Sequence, residues 1–196
     1  RLTVVGGGVI GLEFASIAAA YGCEVTVLEY CPEILPNFDA DIAKRLRSYL
    51  GRRGIEIVTG AEVTEIKPDK SVVYTRKGKE KSVDGDMVLS AVGRRPVIPD
   101  GCEAIGIALD RRGFIVTDEV MQTSVAGVYA IGDVNGRCLL AHAASAQGKI
   151  VLGEQPRLDI MPSVVFTIPE CASVSKASDS VSYTHLRAHE TVLDLV

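Results

Sequence analysis

The sequence contains no tryptophan, and aromatic residues make up only 5% of its 196 residues. A protein that stacks nucleic-acid bases needs aromatic side chains, so this composition argues against such a surface. The net charge of −4 argues against a protein that binds phosphate backbones. No run of about 18 uncharged apolar residues is present. We therefore expect neither nucleic acid nor a membrane as a partner.

Paired cysteines are also lacking. The five cysteines are widely spaced, and no C-x-x-C or C-x4-C pair occurs. The sequence also lacks the basic segment followed by an apolar stretch that would indicate a signal peptide. These features are typical of reduced, mostly buried thiols in a cytoplasmic protein. Because the chain begins at Arg1, directly before a strand-like run, we expect it to be a fragment.

Glycine, by contrast, is abundant, and the first cluster lies between a strand-like run and a helical pattern. In the motif Gly6-x-Gly8-x-x-Gly11, the first glycine permits a tight turn and the second lets the backbone approach a pyrophosphate. The third allows close packing of helix and strand. Strand, glycine loop and helix together predict a dinucleotide site at the helix N-terminus. The alternative is a glycine-rich turn that binds no ligand.

Two acidic residues accompany this motif. Glu29 ends the next strand, where its carboxylate can accept both ribose hydroxyls of NAD and would repel the 2′-phosphate of NADP. Glu13 lies in the first turn of the helix, where it either shapes the nicotinamide side or compensates the helix dipole. The acidic residue at position 29 therefore favours NAD.

The remaining pattern predicts an α/β protein with a parallel sheet and an antiparallel β-meander. Helix periodicity after the glycine loop predicts that one apolar face turns to the core: Ile10, Phe14, Ile17, Ala18 and Tyr21. The continuous apolar run 87–92 predicts a buried central strand. Further elements are predicted as a helix starting near Asp39 or Asp41, a strand at 55–58, a meander at 62–66, 71–75 and 80–83, strands at 114–116 and 128–131, and a helix at 141–153.

A second glycine site follows the strand-like segment 128–131. Gly132 and Asp133 place a carboxylate at the carboxyl end of that segment, where ligands bind in open α/β folds. A short acceptor there suits a polyol hydroxyl such as those of a flavin ribityl chain. By spacing alone, the pair is better explained as a plain turn.

Five segments in order resemble the pyridine-nucleotide–disulfide oxidoreductases: GGGVIGLEFA, AVGRRP, TSVAGVYAIGDV, LLAHAASAQG and MPSVVFTIPECASV. The resemblance implies three domains in this chain. Residues 1–93 match a Rossmann-like NAD-binding domain, 94–158 the second segment of an FAD-binding domain, and 159–174 the start of an interface domain that forms homodimers.

The resemblance also implies which residues bind the two cofactors. NAD would contact Gly6, Gly7, Gly8, Val9, Ile10, Gly11, Glu13 and Glu29, with Val63 at the adenine and Ala91, Val92, Gly93 and Arg94 near the nicotinamide half. FAD would contact Gly132 and Asp133 through its ribityl chain, and Leu139, Leu140, Ala141 and His142 at its pyrimidine end. We assign His142 no acid–base role.

Val9 and Glu29 favour the NAD-using lipoamide branch of this family. That resemblance implies electron transfer from dihydrolipoamide, carried on the lipoyl domain of a 2-oxo acid dehydrogenase or glycine cleavage complex, through a redox disulfide and FAD to NAD. The redox disulfide and the catalytic His–Glu pair are absent here, so we expect no catalytic residue and no turnover by this chain alone. The alternatives are another flavin disulfide reductase or NADH oxidase of the family, or a non-catalytic NAD-binding module.

The family pattern stops at Ser175. Residues 175–196 resemble translated sequencing-adapter tails, and we expect a foreign or artefactual segment there. His185 and His189 in this segment are spaced as on one helix face, but no third ligand lies at usable spacing. We therefore expect no metal site.

Overall fold

The computed structural model describes residues 1–174, so the expected foreign tail at 175–196 lies outside the described residues. The chain divides into two compact units. The first comprises Arg1–Gly93 together with the described residues from Val164 on, and the second comprises Arg94–Ser163.

The first unit is built on a parallel sheet. Its elements are β1 (Leu2–Val5), α1 (Val9–Ala20), β2 (Val25–Glu29), α2 (Ala40–Arg52), β3 (Ile55–Thr59), β4 (Glu62–Ile66), β5 (Val72–Arg76), β6 (Lys79–Val83) and β7 (Met87–Ser90). The strand order β3-β2-β1-β7 is parallel throughout, with Val4 opposite both Val27 and Leu89. Strands joined through helices in this way place their carboxyl ends at one edge, where ligands bind.

Helix α1 does not bury the face predicted from its periodicity. Phe14 is 51% exposed and Tyr21 is 87% exposed, whereas Leu12 and Ala15 are fully buried. Nearly every position of VIGLEFASIAAA is apolar or small, so periodicity does not select a face. The close approach of the helix to β1 at Gly11 selects it instead.

Strand β7 is an edge strand, which corrects the prediction of a buried central strand. Within residues 1–174 it pairs with β1 alone, and Met87 at its start is 66% exposed. Its apolar sequence is typical of buried parallel strands. Among the described residues, however, β7 has a neighbouring strand on one side only, so part of it is exposed to solvent.

The predicted β-meander is present as the antiparallel sheet β4-β5-β6. Val72 and Tyr74 of its central strand are buried in a cluster with Val5, Leu28 and Val58. This cluster covers one part of the parallel sheet, while the larger core contains Leu12, Leu46 and Leu50 from the two helices.

The second unit holds little regular strand. The predicted strands at 114–116 and 128–131 form only isolated bridges, Leu109 with Ile115 and Gln122 with Tyr129. A 3₁₀ turn at Gly132–Asn135 and helix α3 (Ala141–Val151) follow. The helix predicted at 141–153 begins at the observed residue, but the prediction extends two residues beyond the observed end at Val151.

Two short strands near the C-terminal end of the described residues, β8 (Ser163–Val165) and β9 (Cys171–Ser173), form a separate sheet. Val165 and Cys171 are buried in the larger core of the first unit. The described part of the chain is thus an α/β fold with a parallel sheet and a small antiparallel sheet. Among these residues no helix has the length and apolar character needed to cross a membrane.

Candidate functional site

The glycine loop between β1 and α1 is closed by contacts that only glycine allows. Gly6 has a φ of +110°, and a β-carbon on it would overlap the carbonyl oxygen of Ala91. A β-carbon on Gly11 would overlap the carbonyl oxygen of Gly6. The loop therefore folds against neighbouring backbone. Close approach requires glycine at both positions, and at Gly6 the positive φ requires it as well.

Gly8 differs from these two glycines because it faces open space. A β-carbon on Gly8 would meet no atom of the described chain within 4 Å. Gly8 is also the N-cap of α1, and the first helical N–H groups have no acceptor within the helix. These N–H groups and the positive end of the helix dipole fit a pyrophosphate at this opening.

The Glu29 carboxylate stands beside the loop and is buried, with 7% of the residue exposed. Its Oε2 accepts the N–H of Gly7 at 2.5 Å, and its Oε1 accepts the N–H of Cys31 at 2.6 Å. A carboxylate has about four acceptor positions, so roughly two remain for the two hydroxyls of a ribose. The sequence contained no signal that Cys31 belongs to this site. A hydrogen bond to Glu29 and burial raise the pKa of its thiol.

Glu13 has a partner that the sequence did not indicate. Its Oε1 accepts the N–H of Phe166 at 2.9 Å, and Ser16 one turn later accepts the N–H of Ile168 at 3.2 Å. These bonds tie α1 to the segment between β8 and β9. The second carboxylate oxygen of Glu13 has no hydrogen bond among the described residues.

The other residues predicted at this site lie at different depths. Ala91 is half-buried and donates its N–H to Val5 at 2.7 Å, which places it against the glycine loop. Val92 is 72% exposed, and Gly93 is exposed. Val63 packs with the smaller cluster beneath the meander. Val9 and Ile10 open α1, and Ile10 is 40% exposed.

In the second unit, the predicted residues meet around Asp133. Arg94 donates from Nη1 to Oδ2 of Asp133 at 2.8 Å, and both side chains are about half exposed. A groove of about 310 Å³ lies here, lined by Arg94, Arg95, Pro96, Val97, Phe114, Asp133, Val134 and Leu139. The sequence had placed Arg94 near a nicotinamide, whereas its ion-pair partner is the carboxylate predicted for a flavin.

The start of α3 supplies the remaining predicted residues of this unit. Leu140 is the N-cap, and Ala141 and His142 are the first helical residues, both exposed. Leu139 is 40% exposed. Helix N-termini present N–H groups without helical partners, which fits negative charge developing on a ligand. Among residues 1–174, no cluster of three or more His, Cys, Asp or Glu side chains has the arrangement of a metal site.

The chain belongs to the family described as pyridine nucleotide-disulphide oxidoreductase, whose model matches residues 1–148. Two curated relatives are the dihydrolipoyl dehydrogenases of Acholeplasma laidlawii and Bacillus subtilis (strain 168). The first is 46% identical over 75% of the chain, and the second is 41% identical over 100% of it. The chain spans 43% of the length of each.

Solved structures show the same likeness. The HOCl-induced flavoprotein disulfide reductase RclA from Escherichia coli covers 91% of the chain with a TM-score of 0.76 and 32% identity. LpdA from Mycobacterium tuberculosis covers 88% with a TM-score of 0.77 and 34% identity. The chain matches 43% and 39% of these structures respectively.

Proposed function

We propose that the chain carries the NAD-binding part and one segment of the FAD-binding part of a dihydrolipoyl dehydrogenase. The identities of 46% and 41% to relatives with that name support this assignment over other members of the family. The proposed parts are residues 1–93 for NAD, 94–158 for FAD and 159–174 for the start of a dimerising domain. The proposed parent is a cytoplasmic homodimer that accepts electrons from dihydrolipoamide on a lipoyl domain.

The observation that carries the proposal is the glycine loop beside Glu29. Gly6 and Gly11 close the loop, while Gly8 leaves an opening at the helix N-terminus. Glu29 keeps acceptor capacity beside this opening. A dinucleotide needs both features together, because its pyrophosphate and its ribose lie next to each other along the ligand.

When bound, nicotinamide and flavin supply the hydride chemistry, and the residues of this chain bind and orient them. The α1 N-terminus would hold the pyrophosphate and Glu29 the adenosine ribose. Asp133 would accept from the ribityl hydroxyls, and the N–H groups from Leu139 to His142 would stabilise negative charge at the flavin. Because the sequence holds no C-x4-C pair, we expect ligand binding without oxidation of dihydrolipoamide.

The experiment is a titration of the chain with NADH, followed by NADH fluorescence, for wild type and Gly8→Ala. The added methyl group would fill the opening and meet the pyrophosphate, while the unliganded chain has room for it. We expect NADH affinity to fall by about tenfold or more at an unchanged melting temperature. NADPH should bind wild type more weakly than NADH.

Gly51→Ala is the matched control, because Gly51 lies in α2 and a β-carbon there also meets open space. This variant should bind NADH as wild type does. Equal binding by Gly8→Ala and Gly51→Ala would contradict the placement of the pyrophosphate. A wild-type chain that binds no NADH would contradict the proposed function.

A further inference from the structure

Two buried amide side chains hold the turn that contains Asp133. Gln147 of α3 is fully buried, and its Oε1 accepts the backbone N–H of Gly132 at 2.7 Å. The same oxygen accepts from Nδ2 of Asn135 at 2.8 Å, and that Nδ2 also donates to the carbonyl of Ala130 at 3.0 Å. The two amides therefore connect both ends of the 3₁₀ turn to the helix behind it.

Gln147 is used through its oxygen alone. Its Nε2 is buried and has no hydrogen-bond partner among the described residues. A buried donor without a partner is costly, so packing alone does not explain an amide at this position. The need for an acceptor that faces two donors, the N–H of Gly132 and Nδ2 of Asn135, explains the amide at position 147. A carboxylate oxygen there would accept from the same two donors.

The turn needs such support because its backbone is unusual. Gly132 has a φ of +77°, and its N–H points at Gln147 rather than at a strand. Asn135 completes the arrangement by accepting the N–H of Arg137 at 3.0 Å through Oδ1. Asp133 lies between these anchored residues, so its backbone position follows from them, while its side chain remains half exposed.

We infer that Gln147, with Asn135, is a positioning residue that fixes the Asp133 carboxylate for the hydroxyls of a bound polyol chain. This inference rests on the flavin half of the proposed function and deepens it. Neither amide would touch the ligand: both act through the turn. The required chemistry at position 147 is a hydrogen-bond acceptor of about the size of glutamine.

The test compares riboflavin with lumiflavin, which has the same ring system and no polyol chain. Affinities of the full chain for both are measured by flavin fluorescence for wild type, Gln147→Met, Gln147→Glu and Asn135→Ala. Methionine keeps the volume and removes the acceptor, whereas glutamate keeps the acceptor. We expect Gln147→Met to lose about tenfold in the preference for riboflavin over lumiflavin, Gln147→Glu to stay within about threefold of wild type, and Asn135→Ala to fall between them.

A packing role predicts the reverse order, with methionine harmless and a buried glutamate harmful, and that order would overturn the inference. Equal loss for both ligands would also overturn it, because general loosening of the unit does not discriminate a polyol. If Gln147→Glu does not fold, an unchanged preference for riboflavin over lumiflavin in Gln147→Met and Asn135→Ala would overturn the inference. A wild-type chain with no preference for riboflavin would refute the ribityl assignment itself. The variant Asp133→Ala measures how much of the preference for riboflavin depends on the carboxylate.

Discussion

The two candidate cofactor sites each place a glycine at the end of an apolar segment, but they fix it by different means. In the first unit, main chain lies directly against main chain: Gly11 lies against the carbonyl of Gly6, and Gly6 lies against the carbonyl of Ala91. In the second unit, the turn at Gly132 is held by the side chains of Asn135 and Gln147.

This difference decides how each site tolerates change. Backbone contacts between glycines leave no room for any side chain, so the first site is intolerant at fixed positions. Gln147 acts through one oxygen, so we expect position 147 of the second site to tolerate another side chain of similar size that supplies the same acceptor. The predictions below test this contrast between a site closed by sterics and a site held by hydrogen bonds.

The largest effect is expected for Gly11→Ala. The new β-carbon would overlap the carbonyl oxygen of Gly6. Neither atom can move away easily, because Gly6 directly follows β1 and Gly11 lies in α1. We expect a loss of about 3 kcal/mol in the free energy of unfolding of the first unit. Denaturant unfolding measures this loss, and hydrogen exchange at the amides of β1 and β2 localises it.

Gly51→Ala again serves as the control, since it makes the same substitution in a helix where the β-carbon meets open space. Alanine there should raise stability by roughly 0.5–1 kcal/mol, because it restricts the unfolded chain and favours helix. Comparable stability of the two variants would show that the loop is not closed by contact.

A smaller effect is expected for Gly132→Ala. Alanine at a φ of +77° costs about 1–2 kcal/mol, and its β-carbon would also lie 3.3 Å from that of Ala144. Gly127 has the same φ of +77° with open space around it, so Gly127→Ala isolates the cost of the torsion angle. Hydrogen exchange in the second unit should show a loss larger for Gly132→Ala by up to about 1 kcal/mol. Equal losses would mean that the contact with α3 adds nothing.

Whether a feature could be predicted from the sequence depends on whether local rules or distant neighbours determine it. The glycine motif, Glu29 and the alternation of strands and helices depend on local rules, and the parallel sheet and the meander were predicted correctly from them. The buried face of α1 and the edge position of β7 depend on which neighbours cover them. Phe14 and Met87 are therefore exposed although their local pattern is that of buried residues.

The amide pair was missed for a related reason. Asn135 follows the Gly-Asp pair closely, and Gln147 is one turn beyond the buried Ala143 on the same face of an alanine-rich helix. A lone polar residue on an apolar helix face is a usable signal, because a buried amide needs partners. The partners of Gln147, however, are the backbone N–H of Gly132, fifteen positions away, and the side-chain amide of Asn135, twelve positions away, and sequence spacing does not indicate them.

The last prediction uses one cysteine beside each site. Cys31 is next to Glu29, and a hydrogen bond to that carboxylate together with burial raises its thiol pKa above the ordinary 9.0. Cys138 precedes Leu139, and burial raises its pKa as well, partly opposed by a backbone hydrogen bond from Leu140. Raised pKa values mean little thiolate near pH 7, so alkylation of both should be slow there and should accelerate as the pH rises toward 9 and beyond.

Ligands should then protect the two thiols separately. At ten times its Kd, NAD should slow alkylation of Cys31 by about tenfold, because only the free chain reacts, and should leave Cys138 unchanged. Riboflavin should do the opposite. Mass spectrometry of peptides alkylated at pH 8.5 measures both rates in one sample, with the exposed Cys23 as the internal reference. Protection of both thiols by either ligand would contradict the assignment of one cofactor to each site, because a ligand that fills only the glycine loop has no reason to shield a thiol beside the turn at Gly132.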